Sequence, residues 1–275
     1  MAMYQLVASD LDETLLRADG SVSAENVAAI KAVVARGVKF VPNTGRSFTS
    51  IQPLLEKFGL AGLADQYVVS YNGAAVVENQ GNRVVLANAM PFAEAKRAFD
   101  VLASVPDTDV HIYTLDDLYI YRPRADDEAY LKTRGVAFHP LADRADFAQF
   151  KDMQIMKVIA MHPDAQVQQT LQTHIEATFD HQINCSLSSG IYVEVNHLGV
   201  DKGQATLALC RRLQIPIKNV IGLGDNVNDL AMLHTVGLPI AVANGVPAVK
   251  AVAKYVTTHD YESGVAEALH RFILD

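Results

Sequence analysis

Two aspartates, Asp10 and Asp12, follow directly on a short apolar run at residues 4–9. The run predicts a buried strand, and ligands in a parallel α/β sheet gather beyond the carboxyl ends of its strands. If the backbone is still extended there, residues two apart point to the same side, so the two carboxylates would share one small volume. Like charges that close need a cation or a shared proton. The pair therefore indicates a metal or acid–base chemistry, although acidic turns after strands are common without either.

A second acidic cluster, Asp225 and Asp229, follows the apolar run at residues 220–223. If the two strands are neighbours, both clusters would meet in one crevice at the edge of the sheet. Three or four carboxylates there need a hard divalent cation, and oxygen ligands on a loop suit Mg²⁺, which keeps several waters and favours a phosphate partner. The alternative for this segment is plain helix capping by Asn228 or Asp229.

Thr44 and Lys202 complete the set of candidate residues. Thr44 follows a predicted strand at residues 38–41, and Lys202 stands near the start of a predicted helix. By itself, Thr44 could belong to a turn and Lys202 could lie on the solvated surface. The order of acidic pair, threonine, lysine and second acidic pair favours one functional site instead.

The elements that must position these residues follow an alternating pattern. Strand and helix alternate up to about residue 70 and again after residue 195, which is typical of a doubly wound parallel sheet. Near Ala74 the pattern changes to a hairpin around the turn at residues 79–82. The segment that follows predicts helices at 91–103, 127–134 and 164–179, and strands at 109–114, 118–122, 155–161, 183–188 and 191–195. We therefore predict an α/β fold, with a Rossmann-like parallel sheet core of residues 1–84 and 191–275, and an inserted α+β cap of residues 85–190 whose helices lie on one face of an open sheet.

Composition limits the classes of partner. The chain of 275 residues can bury a large core, and its net charge of −8 argues against a basic nucleic-acid surface. No apolar run approaches the ~20 residues that cross a bilayer, so we expect neither nucleic acid nor membrane as a partner.

A leader pattern is absent and Cys185 and Cys210 form no disulfide framework, so a cytoplasmic location is expected. The nine histidines lack ligand spacing, and each is expected on the surface or in the core rather than on a metal. The sequence indicates no oligomeric state.

Taken together, the motifs resemble those of the haloacid dehalogenase superfamily phosphatases, in the Cof-type subfamily that carries a large α/β cap between its second and third motifs. The matching segments, in chain order, are Asp10-Leu-Asp12-x-Thr14, Thr44-Gly45-Arg46, Lys202-Gly203 and Gly224-Asp225-x-x-Asn228-Asp229. Their spacing agrees with that subfamily over essentially the whole chain. Glu13 departs from the pattern, because the family most often has Gly at this position beside the catalytic loop.

The resemblance implies Mg²⁺-dependent hydrolysis of a small phosphomonoester, such as a sugar phosphate or another phosphorylated metabolite. Asp10 would be the nucleophile that forms an aspartyl-phosphate, and Asp12 would protonate the leaving alcohol and then activate water. Asp10, the backbone carbonyl of Asp12 and Asp225 would hold Mg²⁺, and Asp229 would orient a metal-bound water.

The resemblance also implies that Thr44, Lys202 and Asn228 bind the transferring phosphoryl oxygens. Arg46 and Asn72, at neighbouring strand ends, would face substrate or cap, or else stabilise their loops. A phosphotransferase or mutase on the same scaffold would pass the aspartyl-phosphate to a sugar hydroxyl instead of water. A non-catalytic phospho-acceptor module, resembling a response-regulator receiver, has no obvious use for a general acid or for a cap of this size.

Overall fold

The computed structural model describes residues 4–275, and their contacts divide the chain into two compact units. One unit comprises the residues up to Ala87 together with Asp201–Asp275, and the other is Asn88–Val200. Both boundaries lie further along the chain than residues 84 and 190, where the sequence analysis placed them. The reason is that one strand runs on to Ala87, and the strand Tyr192–Asn196 pairs with strands of the second unit.

The helices and strands follow one another along the chain in three segments. The first segment contains β1 (Leu6–Ser9), α1 (Ala24–Ala35), β2 (Lys39–Pro42), α2 (Gln52–Phe58), β3 (Tyr67–Ser70), β4 (Ala75–Glu78) and β5 (Arg83–Ala87). The inserted segment contains α3 (Phe92–Leu102), β6 (Asp109–Thr114), β7 (Leu118–Tyr121), α4 (Ala125–Thr133), β8 (His139–Leu141), β9 (Ile155–Met161), α5 (Ala165–Thr178), β10 (Asn184–Ser188) and β11 (Tyr192–Asn196). The last segment contains α6 (Lys202–Leu213), β12 (Val220–Gly224), α7 (Leu230–Thr235), β13 (Leu238–Ala241), α8 (Pro247–Val252), β14 (Tyr255–Val256) and α9 (Gly264–Leu269).

The first unit is built on a parallel sheet with strand order β14-β13-β12-β1-β2. An antiparallel hairpin sheet, β3-β4-β5, continues from its edge, where a parallel bridge joins Asn43 to Val69. All residues of β1 and β12 are buried, as expected for central strands covered on both faces. The predicted α/β fold with a doubly wound parallel sheet is confirmed.

Local capping sets where α6 begins in this unit. Asp201 has extended backbone and its carboxylate accepts the N–H of Gln204 at 2.7 Å, which satisfies one of the free donors of the first turn. Lys202 is consequently the first residue of the helix. Ser23 caps α1 in the same way, and Gly37, at φ 81°, follows its end.

The second unit contains a six-stranded sheet with order β10-β11-β9-β6-β7-β8, antiparallel except for β7 and β8. One face buries Val110 and Val193 against α3 and α5, including Phe99 of α3. The expectation that helices lie on one face holds for α3 and α5 but not for α4. Leu131 of α4 packs with Ile120, which the alternation of side chains along β7 places on the other face.

No helix within residues 4–275 is both long enough and apolar enough to cross a membrane.

Candidate active site

The two acidic clusters meet because their strands are neighbours. β1 pairs in parallel with β12, with Ser9 opposite Leu223, and the N–H of Asp10 donates to the carbonyl of Leu223 at 3.0 Å. Asp10 and Asp225 therefore leave the same edge of the sheet side by side. The two strands are neighbours, as a shared crevice for both acidic clusters requires.

Lys202 lies between two of these carboxylates. Its Nζ donates to Asp10 Oδ1 at 2.5 Å and to Asp229 Oδ1 at 2.7 Å, and the residue is only 1% exposed. The alternative that Lys202 is a solvated surface residue is therefore wrong. An ammonium group this deeply buried requires carboxylate partners, and it has two.

Asp225 and Asp229 are held by the turn that follows β12. Asp229 Oδ2 accepts the backbone N–H groups of Asp225 and Asn226 at 3.0 and 3.1 Å, while Thr14 Oγ1 donates to Asp225 Oδ1 at 2.6 Å. Asn226 caps this turn through its side chain, which accepts the N–H of the next residue, and Asp229 completes a capping box by accepting the N–H of Asn226. Asp229 also stands at the N-cap position of α7, but its side chain makes no capping bond to that helix, so capping accounts for only part of its contacts. Both oxygens of Asp229 are thus already hydrogen-bonded, and Asn228 is half-buried on the same turn.

The site carries more negative charge than its one lysine balances. Burial, reinforced by Asp229 and Asp225 and opposed by Lys202, raises the pKa of Asp10 well above its usual range. Burial and the carboxylate of Asp229 raise the pKa of Asp225 to about 6. The pKa of Lys202 is raised in turn, because its two carboxylate partners outweigh the effect of burial. A cation would relieve this excess charge.

Oxygen atoms of Asp10, Asp225 and Asp229 lie within 4.8 Å of one another, which is close enough for them to surround one metal ion. Asp12 is not in this group, because its carboxylate faces Arg46. Arg46 Nε donates to Asp12 Oδ2 at 2.8 Å, and a second guanidinium N–H donates to Oδ1. Arg46 was predicted to face substrate or to stabilise its loop, and nothing in the sequence indicates this ion pair.

Thr44 and Asn72 belong to two adjoining loops at the same sheet edge. Thr44 is buried, its Oγ1 accepts the N–H of Arg46 at 3.1 Å, and its carbonyl accepts the N–H of Asn72 at 3.0 Å. A Cβ placed on Gly45 would stand 2.9 Å from Asn72 Oδ1, so the two loops leave no room for a side chain there. These contacts give Asn72 a role in bracing the loop of Thr44.

Glu13, the departure from the family pattern, has left-handed backbone at φ 61°. Glycine adopts this conformation without the clash that a Cβ introduces, which explains why glycine suits the position. The loop keeps its shape around Glu13, whose carbonyl accepts a hydrogen bond from Asn244 Nδ2 at 2.7 Å.

Two further glycines allow backbones to touch around Lys202. A Cβ on Gly203 would lie 2.3 Å from the carbonyl oxygen of Ala231 in α7, and a Cβ on Gly73 would lie 2.3 Å from the carbonyl oxygen of Asp201. Both distances are far below any van der Waals contact. The start of α6 is therefore fixed on two sides by main-chain contacts.

Comparison with known proteins agrees with this geometry. Residues 7–269 match the family model for haloacid dehalogenase-like hydrolases. The YxeH protein of Bacillus subtilis is 32% identical over 99% of each chain, and the 5-amino-6-(5-phospho-D-ribitylamino)uracil phosphatase YcsE of that organism is 27% identical over 98% of this chain and 96% of its own. A haloacid dehalogenase-like hydrolase from Bacteroides thetaiotaomicron superposes with a TM-score of 0.85 at 22% identity, covering 98% of this chain and 99% of that one. With a family match along nearly its whole length, the resemblance inferred from the motifs is confirmed, and this chain belongs to the haloacid dehalogenase-like hydrolases.

Proposed function

We propose that this chain hydrolyses a small phosphomonoester, with Mg²⁺ as its cofactor and Asp10 as its nucleophile. The observation that carries the proposal is the convergence of three buried carboxylates and one buried ammonium group at the ends of two paired strands. The similarity to YcsE, which is named as a phosphatase, supports the proposed type of reaction. We do not transfer the substrate of YcsE to this chain. For this chain we propose only the class of small phosphorylated metabolites, which includes sugar phosphates.

The residues of the site fit a hard divalent cation. The side chains of Asp10 and Asp225 offer carboxylate oxygens close enough to share one cation, and Mg²⁺ prefers oxygen donors. The family resemblance adds the backbone carbonyl of Asp12 as a further ligand. Asp229 would orient rather than ligate directly, since Lys202 and two backbone N–H groups already bond its oxygens. When bound, Mg²⁺ would offset the charge of these carboxylates and of the phosphoryl group.

Asp10 would attack phosphorus while the ester P–O bond breaks, giving an aspartyl-phosphate that water then hydrolyses. The hydrogen bond from Lys202 uses Oδ1 of Asp10, which leaves Oδ2 to form the new bond. Lys202 also opposes the effect of burial on the Asp10 pKa and so favours the ionised nucleophile.

Asp12 would protonate the departing alcohol and later remove a proton from the attacking water. Its ion pair with Arg46 fixes the direction of the carboxylate and favours the ionised form that the second step needs. For the first step, Asp12 must carry a proton, so the pair with Arg46 must loosen when substrate binds.

Lys202, Thr44 and Asn228 would contact the transferring phosphoryl group. Lys202 supplies a fixed positive charge, and the hydroxyl of Thr44, which accepts the N–H of Arg46, can still donate its hydrogen to a phosphoryl oxygen. Asn228 would add a neutral donor from the turn after β12. Charge that develops on the equatorial oxygens would meet donors already in place.

A screen of phosphorylated metabolites, with and without Mg²⁺, tests the proposal. Release of inorganic phosphate should require both Mg²⁺ and Asp10, so the Asp10→Asn variant serves as the control. A labelled substrate that yields a transferred phosphoryl group in place of inorganic phosphate would show a phosphotransferase. Phosphorylation of Asp10 without steady turnover on any substrate would show a phospho-acceptor module.

A further inference from the structure

A second cluster of titratable side chains lies wholly within the unit Asn88–Val200. Asp109 and His111 point to one face of β6, and Asp127 lies in the first turn of α4, which covers that face. All three residues are 0% exposed. One potential ligand atom from each lies within 4.8 Å of the other two. None of the motifs that define the family includes these residues.

In each carboxylate of this cluster, one oxygen accepts a hydrogen bond from a residue outside the cluster. Tyr192 Oη donates to Asp127 Oδ1 at 2.5 Å, and the backbone N–H of Arg124 donates to Asp109 Oδ2 at 3.3 Å. The other two oxygens, Asp127 Oδ2 and Asp109 Oδ1, have no hydrogen-bond donor within residues 4–275. Both of these oxygens face His111.

His111 is fully buried and directed at these oxygens without forming a hydrogen bond to them. Its Nε2 lies 2.8 Å from Asp127 Oδ2, where the geometry is not that of a hydrogen bond, and 3.6 Å from Asp109 Oδ1, which is beyond hydrogen-bond distance. Burial lowers the pKa of His111, yet the two carboxylates outweigh it and raise the pKa to about 9, so a cation that binds Nε2 would release its proton to solvent. Buried polar atoms left unsatisfied are costly, so a group that bonds all three atoms at once would be strongly favoured.

We propose that Asp109 Oδ1, Asp127 Oδ2 and His111 Nε2 hold a divalent transition-metal cation, with Zn²⁺ the best match. One imidazole nitrogen with two carboxylate oxygens suits Zn²⁺ better than Mg²⁺ or Ca²⁺, which take oxygen ligands. The bonds from Tyr192 and from the N–H of Arg124 orient the two carboxylates in the way that outer partners orient metal ligands. Ligands about 2.0–2.1 Å from a tetrahedral zinc stand further apart than a hydrogen-bonded pair, so binding would widen the gap between His111 and Asp127.

The cation would join α4 to β6. The fully buried residues of α4 are Asp127 and Leu131, and half-buried Tyr130 packs against Tyr192, so a cation bound by Asp127 would add a polar connection to these apolar contacts. All three ligand residues are buried, so the cation would be shielded from solvent, and a water molecule would fill the fourth position that three protein ligands leave. Sequence spacing did not reveal it, because two ligands alternate along a strand and the third comes from a helix beyond the next strand.

The test uses the full chain, stripped with a chelator and then dialysed against Zn²⁺ in the presence of excess Mg²⁺. Mass spectrometry of the metal content should find about one zinc per chain, and Co²⁺ in its place should give the intense visible absorption of a tetrahedral site. Both signals should disappear in His111→Gln and in Asp127→Asn. Both should remain in Asp225→Asn, which alters the first unit, and in His139→Gln, which removes an exposed histidine 3.6 Å from Asp117 in the same unit.

Three results would overturn the proposal: a wild-type chain that retains no zinc, zinc that survives Asp127→Asn, or zinc that is lost in Asp225→Asn instead. Circular dichroism identifies a variant that does not fold. If His111→Gln unfolds the unit, Asp127→Asn decides by itself, because the amide keeps the shape of the carboxylate.

Discussion

Arg46 and Asp12 form a two-point ion pair, in which the guanidinium donates to both oxygens of one carboxylate, from Nε to Oδ2 at 2.8 Å and from a second N–H to Oδ1. A planar guanidinium fixes the direction of a carboxylate in a way that an ammonium group does not. If Asp12 is the general acid and base, Arg46 is the residue that positions it.

Replacing Arg46 by Lys keeps the positive charge but removes the planar guanidinium that donates to both oxygens of Asp12. We expect kcat for an alkyl phosphate to fall about 10- to 100-fold, with a smaller fall for nitrophenyl phosphate, because a phenolate leaves without help from an acid. Steady-state kinetics on both substrates would measure this difference. Equal losses on the two substrates, expressed mainly in KM, would instead mean that Arg46 binds substrate.

The two aspartates of the first motif should fail in different ways. Asp10→Asn removes the nucleophile, so no substrate should phosphorylate the protein. Asp12→Asn removes the acid and the later base, so nitrophenyl phosphate should give a burst of phosphoenzyme followed by slow turnover. Rapid-quench mass spectrometry would detect the added phosphoryl group. Normal turnover of both substrate types by Asp12→Asn would refute the role given to Asp12.

Lys202→Met keeps an unbranched side chain of similar length and removes the charge. We expect kcat to fall at least about 100-fold, and the metal-free protein to lose about 3 kcal/mol of unfolding free energy at neutral pH, because Asp10 and Asp229 lose their buried partner. Urea denaturation of the variant beside Lys218→Met, an exposed lysine of the same unit, would separate the effects. Wild-type stability and turnover in Lys202→Met would contradict the assignment.

The acidic site should make stability depend on pH in the absence of metal. The pKa of Asp225 is about 6 in the folded chain against 3.8 for an ordinary aspartate, so the folded state binds this proton more tightly. The contribution of this group to stability is therefore greatest below pH 3.8, and it falls by about 3 kcal/mol as the pH rises through about 6.

In Asp225→Asn this component should vanish, and above pH 6 the metal-free variant should gain stability relative to wild type. Saturating Mg²⁺ should stabilise wild type and not the variant, and chelation should abolish turnover. Denaturation curves across the pH range, with and without Mg²⁺, provide the measurement. Full activity after exhaustive EDTA treatment would rule out the metal.

Glu13 tests the strain in the catalytic loop. At φ 61°, Glu13→Ala keeps the unfavourable backbone, whereas Glu13→Gly relieves it at some cost in chain entropy. We expect the Gly variant to exceed the Ala variant by about 1 kcal/mol in unfolding free energy. Chemical denaturation compares the two, and equal stabilities would show that the surrounding loop adapts to a side chain.

The sequence predicted the meeting of Asp10 with Asp225 because strand ends and motif spacing are local signals, and a parallel sheet brings such ends together. It did not predict the pairing of Arg46 with Asp12, since side-chain direction across two loops leaves no periodic signal. β8 was missed for a related reason: three residues with Pro140 in the middle form only a short edge strand. Three of the candidates, Thr44, Asn72 and Asn228, were found by motif or strand end, but their contacts came only with the fold.

Gly73 and Gly203 give the chain an asymmetric tolerance to change. The distance from the Lys202 ammonium to its carboxylates is set by main chain touching main chain at two points, and neither point has room for a methyl group. Substitutions at the exposed positions of α6, such as Gln204 and Arg211, can accumulate without moving that ammonium. A single added carbon at Gly203 would displace the helix start and the lysine with it. The position of the lysine ammonium therefore depends on the absence of a side chain at Gly73 and at Gly203.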